Sequence, residues 1–225
     1  MRLPPPMHRW SISPRAATRL QCRLAERIRC DPLPTNIRFV AGADLAFSAD
    51  GRRCLGGVVL YDLKERLVIE QTLAWRPTRF PYVPGLLSFR EAPAVLAAVR
   101  KLKGIPDVFI LDAHGVAHPR RMGLAAHIGL LMDRPTIGCA KSRLCGRHVD
   151  PPAQVGRSTP LIDRNEIVGA VLRTRPGVKP VYVSRGHRVT LVDAVRVVIA
   201  CVGRYRLPEP TRQAHILVPR HRHDG

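Results

Sequence analysis

The chain has 225 residues, 45% hydrophobic and 5% aromatic, enough aliphatic side chains to bury one core without help from disulfides or metals. Its 37 Lys+Arg against 17 Asp+Glu leave a net charge of +20, which points to a polyanionic partner such as nucleic acid, although an arginine-rich coding bias would raise the same count. No apolar run is long enough for a signal peptide or a membrane span, and the six cysteines form no CxxC pair, so a single soluble, cytoplasmic domain over 1–225 with reduced thiols is expected.

In chain order, residues 13–29 predict a helix: Ser13 can cap it, Pro14 suits its first turn, and Ala17, Leu20, Leu24 and Ile28 form an apolar stripe. Three strand-like segments follow at 37–47, 55–63 and 66–75, joined by the Asp50-Gly51 turn and a short polar link, which reads as an antiparallel meander. After the Pro- and Gly-punctuated loop 76–85 come a helix at 89–102 and a short apolar strand at 108–112. A helix near 122–132, strands at 136–140, 166–174 and 180–183, and a helix at 191–202 complete the pattern. Residues 150–160, rich in Pro, Gly, Ser and Thr, read as an excursion between core elements, and the ends, about 1–12 and 216–225, read as loose. A meander followed by βα units makes an α/β fold with a mixed central sheet flanked by helices, the order of the ribonuclease H-like architecture.

Three carboxylates stand where an apolar element meets a turn or cap: Asp44, Glu91 and Asp112. Carboxylate oxygens are preferred ligands of Mg²⁺, which can polarise a scissile phosphate and activate water. Glu91 also has a structural reading, because Ser88-x-x-Glu91 ahead of an apolar run is a capping box. Asp44 interrupts an apolar strand, where an unpaired carboxylate is costly, and Asp112 ends a buried strand, where open α/β sheets place ligands. His114 and His118 have an i, i+4 spacing that raises zinc, but Gly115 and Pro119 argue against a helix there. His118 then reads as a proton or phosphate contact, with Arg120 and Arg121 as cations beside it or as plain solvated surface. Lys141, after an apolar strand, can hold a phosphate oxygen in the transition state, or be a surface lysine. Tyr82 in Pro81-Tyr82-Val83-Pro84-Gly85 sits between prolines, so that loop is either a rigid wedge for a base stack or a turn packed on the core.

Together these segments resemble the endonuclease V (deoxyinosine 3' endonuclease) family in the family's own order. The matching blocks are Val40–Phe47 around Asp44 in sequence, Pro81 to Gly85, Leu87-Ser88-Phe89-Arg90-Glu91, and Asp112-Ala113-His114-Gly115-Val116-Ala117-His118-Pro119-Arg120-Arg121. Gly138 to Gly146, Gly186-His187-Arg188-Val189 and Tyr205 to Arg212 extend the match over about residues 15 to 215. The resemblance implies that Asp44 and Asp112 ligate the metal, Glu91 completes the carboxylate set, His118 and Lys141 support the phosphate, and His215 lies near the metal. It implies Mg²⁺ as cofactor, with Mn²⁺ able to substitute, and a monomer whose Tyr82 loop separates strands around an altered base. The implied reaction is hydrolysis of the second phosphodiester bond 3' to a deoxyinosine in DNA, leaving 3'-hydroxyl and 5'-phosphate ends. Ala113 stands where the family commonly has Gly, which raises the question of strain if the backbone there has positive φ.

Two rival readings remain at this level. One is an inosine-specific ribonuclease acting on single-stranded RNA. The other is a non-catalytic basic nucleic-acid-binding protein, which the carboxylates oppose because they would repel a phosphate chain.

Overall fold

A computed structural model of the chain describes residues 1–221. The elements run α1 (Pro14–Ala25), β1 (Phe39–Phe47), β2 (Arg53–Asp62), β3 (Leu67–Pro77), α2 (Leu87–Lys101), β4 (Val108–Leu111), α3 (Leu124–Met132) and β5 (Thr136–Ala140), followed by β6 (Ser158–Asp163), β7 (Glu166–Leu172), β8 (Val181–His187), α4 (Leu191–Ala200) and α5 (Glu209–Arg220). The eight strands form one mixed sheet in the order β3-β2-β1-β4-β5-β8-β7-β6. β1, β4 and β5 are parallel, while β2, β3 and the β8-β7-β6 wing run antiparallel to their neighbours. This is the expected ribonuclease H-like arrangement.

Strand alternation sorts the core onto two faces. Ala41, Ala43, Phe109 and Leu111 pack with Val95, Val99 and Ile128 of α2 and α3 on one face. Val40, Val108 and Ile110 pack with Val197 and Val198 of α4 on the other. Burial of the β1 and β4 side chains on both faces explains why they read as near-continuous apolar runs. The ends that read as loose carry packed side chains: Met1, Leu3, Met7 and Trp10 lie against the main core, and Leu217 and Val218 of α5 are buried. Residues 222–225 fall outside the described residues. Among the described residues no helix is long and apolar enough to cross a membrane.

Two elements differ from expectation. The stretch 150–160, read as an excursion, leads into β6 from Ser158, an edge strand with only Leu161 fully buried, so its apolar signal is weak. α5 was not among the expected helices; Pro210 falls in its first turn, where the missing N–H has no helical partner to lose, and Pro219 falls one residue before its end.

The capping-box reading of Ser88 and Glu91 is corrected. α2 begins at Leu87 with Leu86 as N-cap and no side-chain cap, and the Ser88 hydroxyl is turned to Nδ1 of His127 at 2.9 Å. His127 is wholly buried in α3, and its Nε2 meets Nε2 of His8 at 2.9 Å. Burial, with His8 adding, pushes the His127 imidazole down to about 3, so it stays neutral in the fold. The unfolded chain takes up a proton there near 6.5, so this contribution to stability is whole above that pH and is lost as pH falls toward 3. Between about pH 7.5 and about pH 5 the parent is expected to lose about 2 kcal/mol more unfolding free energy than His127→Gln. Denaturant titration checks this, and equal losses would clear His127 of the effect.

Candidate active site

The site follows from the sheet register. β1 pairs with β4 in parallel, Val40 opposite Val108 through Ala43 opposite Leu111, so the next residues, Asp44 within β1 and Asp112 just past the end of β4, stand side by side. Alternation places both on the face that α5 covers, since Val40 and Ile110 point to that side. Gly42 allows α5 to lie directly on β1: a Cβ there would sit 2.0 Å from the Pro210 carbonyl oxygen. α5 in turn carries His215, whose Nδ1 is 2.7 Å from Oδ2 of Asp44. Asp44, Asp112 and His215 thus offer ligand atoms within 4.8 Å of one another.

Glu91 enters from α2 and lines the same cavity, outside that close trio. Lys141, just past β5, forms an ion pair from Nζ to Oδ2 of Asp112. Its backbone is held by Arg206, whose Nη2 donates to the carbonyls of Lys141 at 2.6 Å and Pro180 at 2.7 Å. Ala113 has no positive φ, so the substitution of a family glycine there carries no backbone strain.

Electrostatics favour a bound cation. Burial lifts the Asp44 carboxyl above its ordinary range; Asp112 adds to the lift, while the Leu45 N–H and His215 oppose it. Burial pushes Glu91 up to about 7, with Asp44 adding and Arg90 opposing. Carboxyls gathered and desolvated in this way hold their charge at a cost that a divalent ion offsets. Two carboxylates, a third nearby and an imidazole form a donor set that suits Mg²⁺ or Mn²⁺. His114 and His118, the pair that raised zinc, lie on an irregular segment and join no such group among the described residues.

The cavity beside the carboxylates measures about 370 Å³. Gly85, Leu87, His114 and Leu124 line it too, as do residues 142–144. Sequence reasoning singled out Lys141 but missed Ser142, Arg143 and Leu144, although they follow it directly in the chain. Leu144, half exposed, leaves an apolar rim.

The 81–85 loop is braced from behind. The Gly85 carbonyl accepts from Gln21 Nε2 at 3.0 Å, Arg120 Nη2 at 2.7 Å and His118 Nε2 at 3.1 Å. Nδ1 of His118 accepts from the Arg120 N–H at 3.1 Å, so both ring nitrogens are occupied. Burial, together with Arg120, pushes His118 down to about 4. His118, expected as a proton or phosphate contact, lines the carboxylate cavity and also ties to this loop, its two ring nitrogens meeting the Gly85 carbonyl and the Arg120 N–H. Gly85 has φ +76°, a conformation that favours glycine, and a Cβ there would lie 2.7 Å from Arg120 Nη2. Tyr82 stands 69% exposed on the braced loop, so it is no turn residue packed on the core. Arg121 is paired with Asp163 at 2.7 Å and Glu166 at 2.9 Å, so it offers no unpaired charge to the site.

A family model described as Endonuclease V matches residues 22–216. The chain belongs to the endonuclease V family. An Endonuclease V of Roseiflexus sp. (strain RS-1) is 52% identical over 208 residues, covering 92% of this chain and 93% of the relative. The crystal structure of the Endonuclease V from Streptomyces avermitilis superposes with a TM-score of 0.90 at 41% identity, covering 94% of this chain and 93% of that one. The Ciona intestinalis Endonuclease V, solved in complex with a 23mer DNA containing an inosine followed by a ribo-adenosine, matches with a TM-score of 0.81 at 25% identity, covering 95% of this chain and 99% of that one. As a member of the endonuclease V family, the chain is a nuclease with the ribonuclease H-like fold.

Proposed function

We propose that this chain is a DNA repair endonuclease that recognises deoxyinosine and hydrolyses the second phosphodiester bond on its 3' side, leaving 3'-hydroxyl and 5'-phosphate ends. The observation that carries the reading is the convergence of Asp44, Asp112 and His215 within 4.8 Å, with both carboxylates lining a cavity that the braced Gly85 also lines. The Ciona relative was solved on inosine-containing DNA, which supports the substrate class.

Asp44, Asp112 and His215 would hold Mg²⁺, or Mn²⁺ in its place, with Glu91 completing the set. The bound cation supplies Lewis acidity to a phosphate oxygen and lowers the pKa of water. Lys141, already beside Asp112, is positioned to meet a non-bridging oxygen as charge grows on it. Tyr82, held out on a loop stiffened by Pro81 and Pro84, would enter the base stack while Val83 packs beneath it. Arg120 would serve by bracing that loop, and Arg121 by tying residue 118 to the β6–β7 turn. The altered base would occupy the cavity, where a backbone N–H facing its keto oxygen distinguishes inosine from adenosine; a weakened mispair makes extrusion easier.

The test is a set of matched oligonucleotides with inosine or adenosine at one position, as DNA and as RNA, incubated in Mg²⁺. Nicking of the inosine DNA alone, or well ahead of its RNA counterpart, is expected. Equal cutting of inosine and adenosine DNA overturns the reading, and a preference for inosine RNA replaces the substrate. Tyr82→Ala is expected to weaken binding of the lesion DNA by about tenfold, measured as the shift in fluorescence anisotropy midpoint.

A further inference from the structure

A second cavity, of about 340 Å³, opens on the other side of α2. Glu91 and Val95 turn to the carboxylate cavity, whereas Arg90, Pro93, Leu96 and Arg100 of the same helix line this one. Its floor is apolar, formed by buried Phe80, Phe89 and Leu131. Its lid comes from the N-terminal segment that precedes the family-matched residues, chiefly Leu3, His8 and Trp10. Trp10 is only half-buried and is held edge-on to His8 at 4.6 Å and to Phe89 at 6.4 Å.

The rim is cationic. Arg76, Arg79, Arg90 and Arg100 all line the cavity, no Asp or Glu does, and none of the four arginines has an ion-pair partner among the described residues. Arg90 is partly engaged, stacked over Phe47 at 4.6 Å and donating to the Phe80 carbonyl at 3.1 Å. Arg76, Arg79 and Arg100 remain exposed. Like charges gathered without carboxylates repel one another until an anion sits among them. An aromatic wall beside such cations suits a nucleotide, which brings a flat base and a phosphate together; an acidic peptide has the charge but not the ring.

The place of the cavity identifies which nucleotide. Arg79 and Phe80 lead directly into Pro81 and Tyr82, so the cavity lies behind the loop that carries the exposed Tyr82. We infer that this cavity seats one unstacked nucleotide of the substrate strand beyond the Tyr82 loop, its base against Trp10 and its phosphate among Arg76, Arg79 and Arg100. The inference rests on the reading above that the Tyr82 loop opens a base stack. It gives the N-terminal segment a role in holding substrate that the carboxylate centre does not need for chemistry.

Trp10 is its own reporter. In a Trp75→Phe protein it is the only tryptophan, and titration with an inosine-free single-stranded oligonucleotide, without divalent cation, is expected to quench its emission saturably. Arg79→Glu with Arg100→Glu should move the quenching midpoint at least about tenfold higher. On an inosine duplex, Trp10→Ala should raise KM by about tenfold with a much smaller change in kcat, and Trp10→Phe, which keeps a stacking face, should restore most of the loss. Trp10 emission that stays constant while anisotropy shows the oligonucleotide bound overturns the inference, as does quenching by inorganic phosphate or an acidic peptide alone. A KM equal to the parent's in Trp10→Ala overturns it too. Failure of the parent to prefer inosine would contradict the proposed function instead, since it leaves the Arg79-dependent quenching in place.

Discussion

The Asp112→Ala protein is expected to bind inosine-containing DNA and to cut it at least about a thousandfold more slowly than the parent. Asp112 supplies one of the three ligand atoms gathered within 4.8 Å, and among the described residues it alone forms an ion pair with Lys141. Its removal therefore takes a donor from the centre and releases the lysine from its position against the phosphate. Binding should survive, because the deletion also removes a negative charge from a surface that must accept phosphates. The fold should survive as well, since β4 ends at Leu111 and the Asp112 side chain makes none of its ladder bonds. Single-turnover cleavage beside anisotropy measures both effects. Cleavage at the parent rate would remove Asp112 from the centre and with it the assignment of the crevice.

Gly42→Ala is expected to be nearly as damaging without touching a reacting group. The added Cβ would lie 2.0 Å from the Pro210 oxygen, 2.1 Å from the Pro210 carbonyl carbon and 2.6 Å from the Thr211 nitrogen. These are backbone atoms at the start of α5 and have no rotamer to move into. The helix must lift from β1, which costs on the order of 1–3 kcal/mol as overpacking. His215 rides on that helix and would leave Asp44, so cleavage should fall by about a hundredfold, the scale of a displacement of about 1 Å at a reacting centre. His215→Ala separates the two effects, because it removes the imidazole and leaves α5 seated. A Gly42→Ala protein with parent stability and activity would show that α5 does not seat the site.

Much of this arrangement was legible in the chain because local signals agreed with the fold. The meander β1 to β3 showed as strand-like segments separated by Asp50-Gly51 and a short polar link, and β4 and β5 as short apolar runs, since sheet and helices bury them on both faces. β6 was hidden because an edge strand exposes one side and has little apolar pattern to display. α5 was hidden in part by Pro210, which is harmless only because it falls in the first turn, a distinction that depends on knowing where the helix starts.

Among the site residues, the three carboxylates stood out as charges at the margins of apolar elements. What brings Asp44 beside Asp112 is a parallel register between strands far apart in the chain, which no local pattern reveals. Glu91 read equally well as a helix cap until Ser88 was found turned to His127. Arg121 looked like a free cation because its partners, Asp163 and Glu166, come from a hairpin more than forty positions on. The role of Trp10 was invisible for the same reason: the cavity it covers is assembled from the N-terminus, β3 and α2.

The most direct test of the central claim is to map the nick. A duplex carrying one deoxyinosine, labelled at each end in turn, is incubated with the parent protein in Mg²⁺ and its products are sized beside a ladder. The account predicts one cut in the inosine strand, at the second phosphodiester bond on the 3' side, with a 3'-hydroxyl that a polymerase can extend. Cuts distributed without regard to the inosine, or cutting unchanged when the divalent cation is chelated, would contradict it.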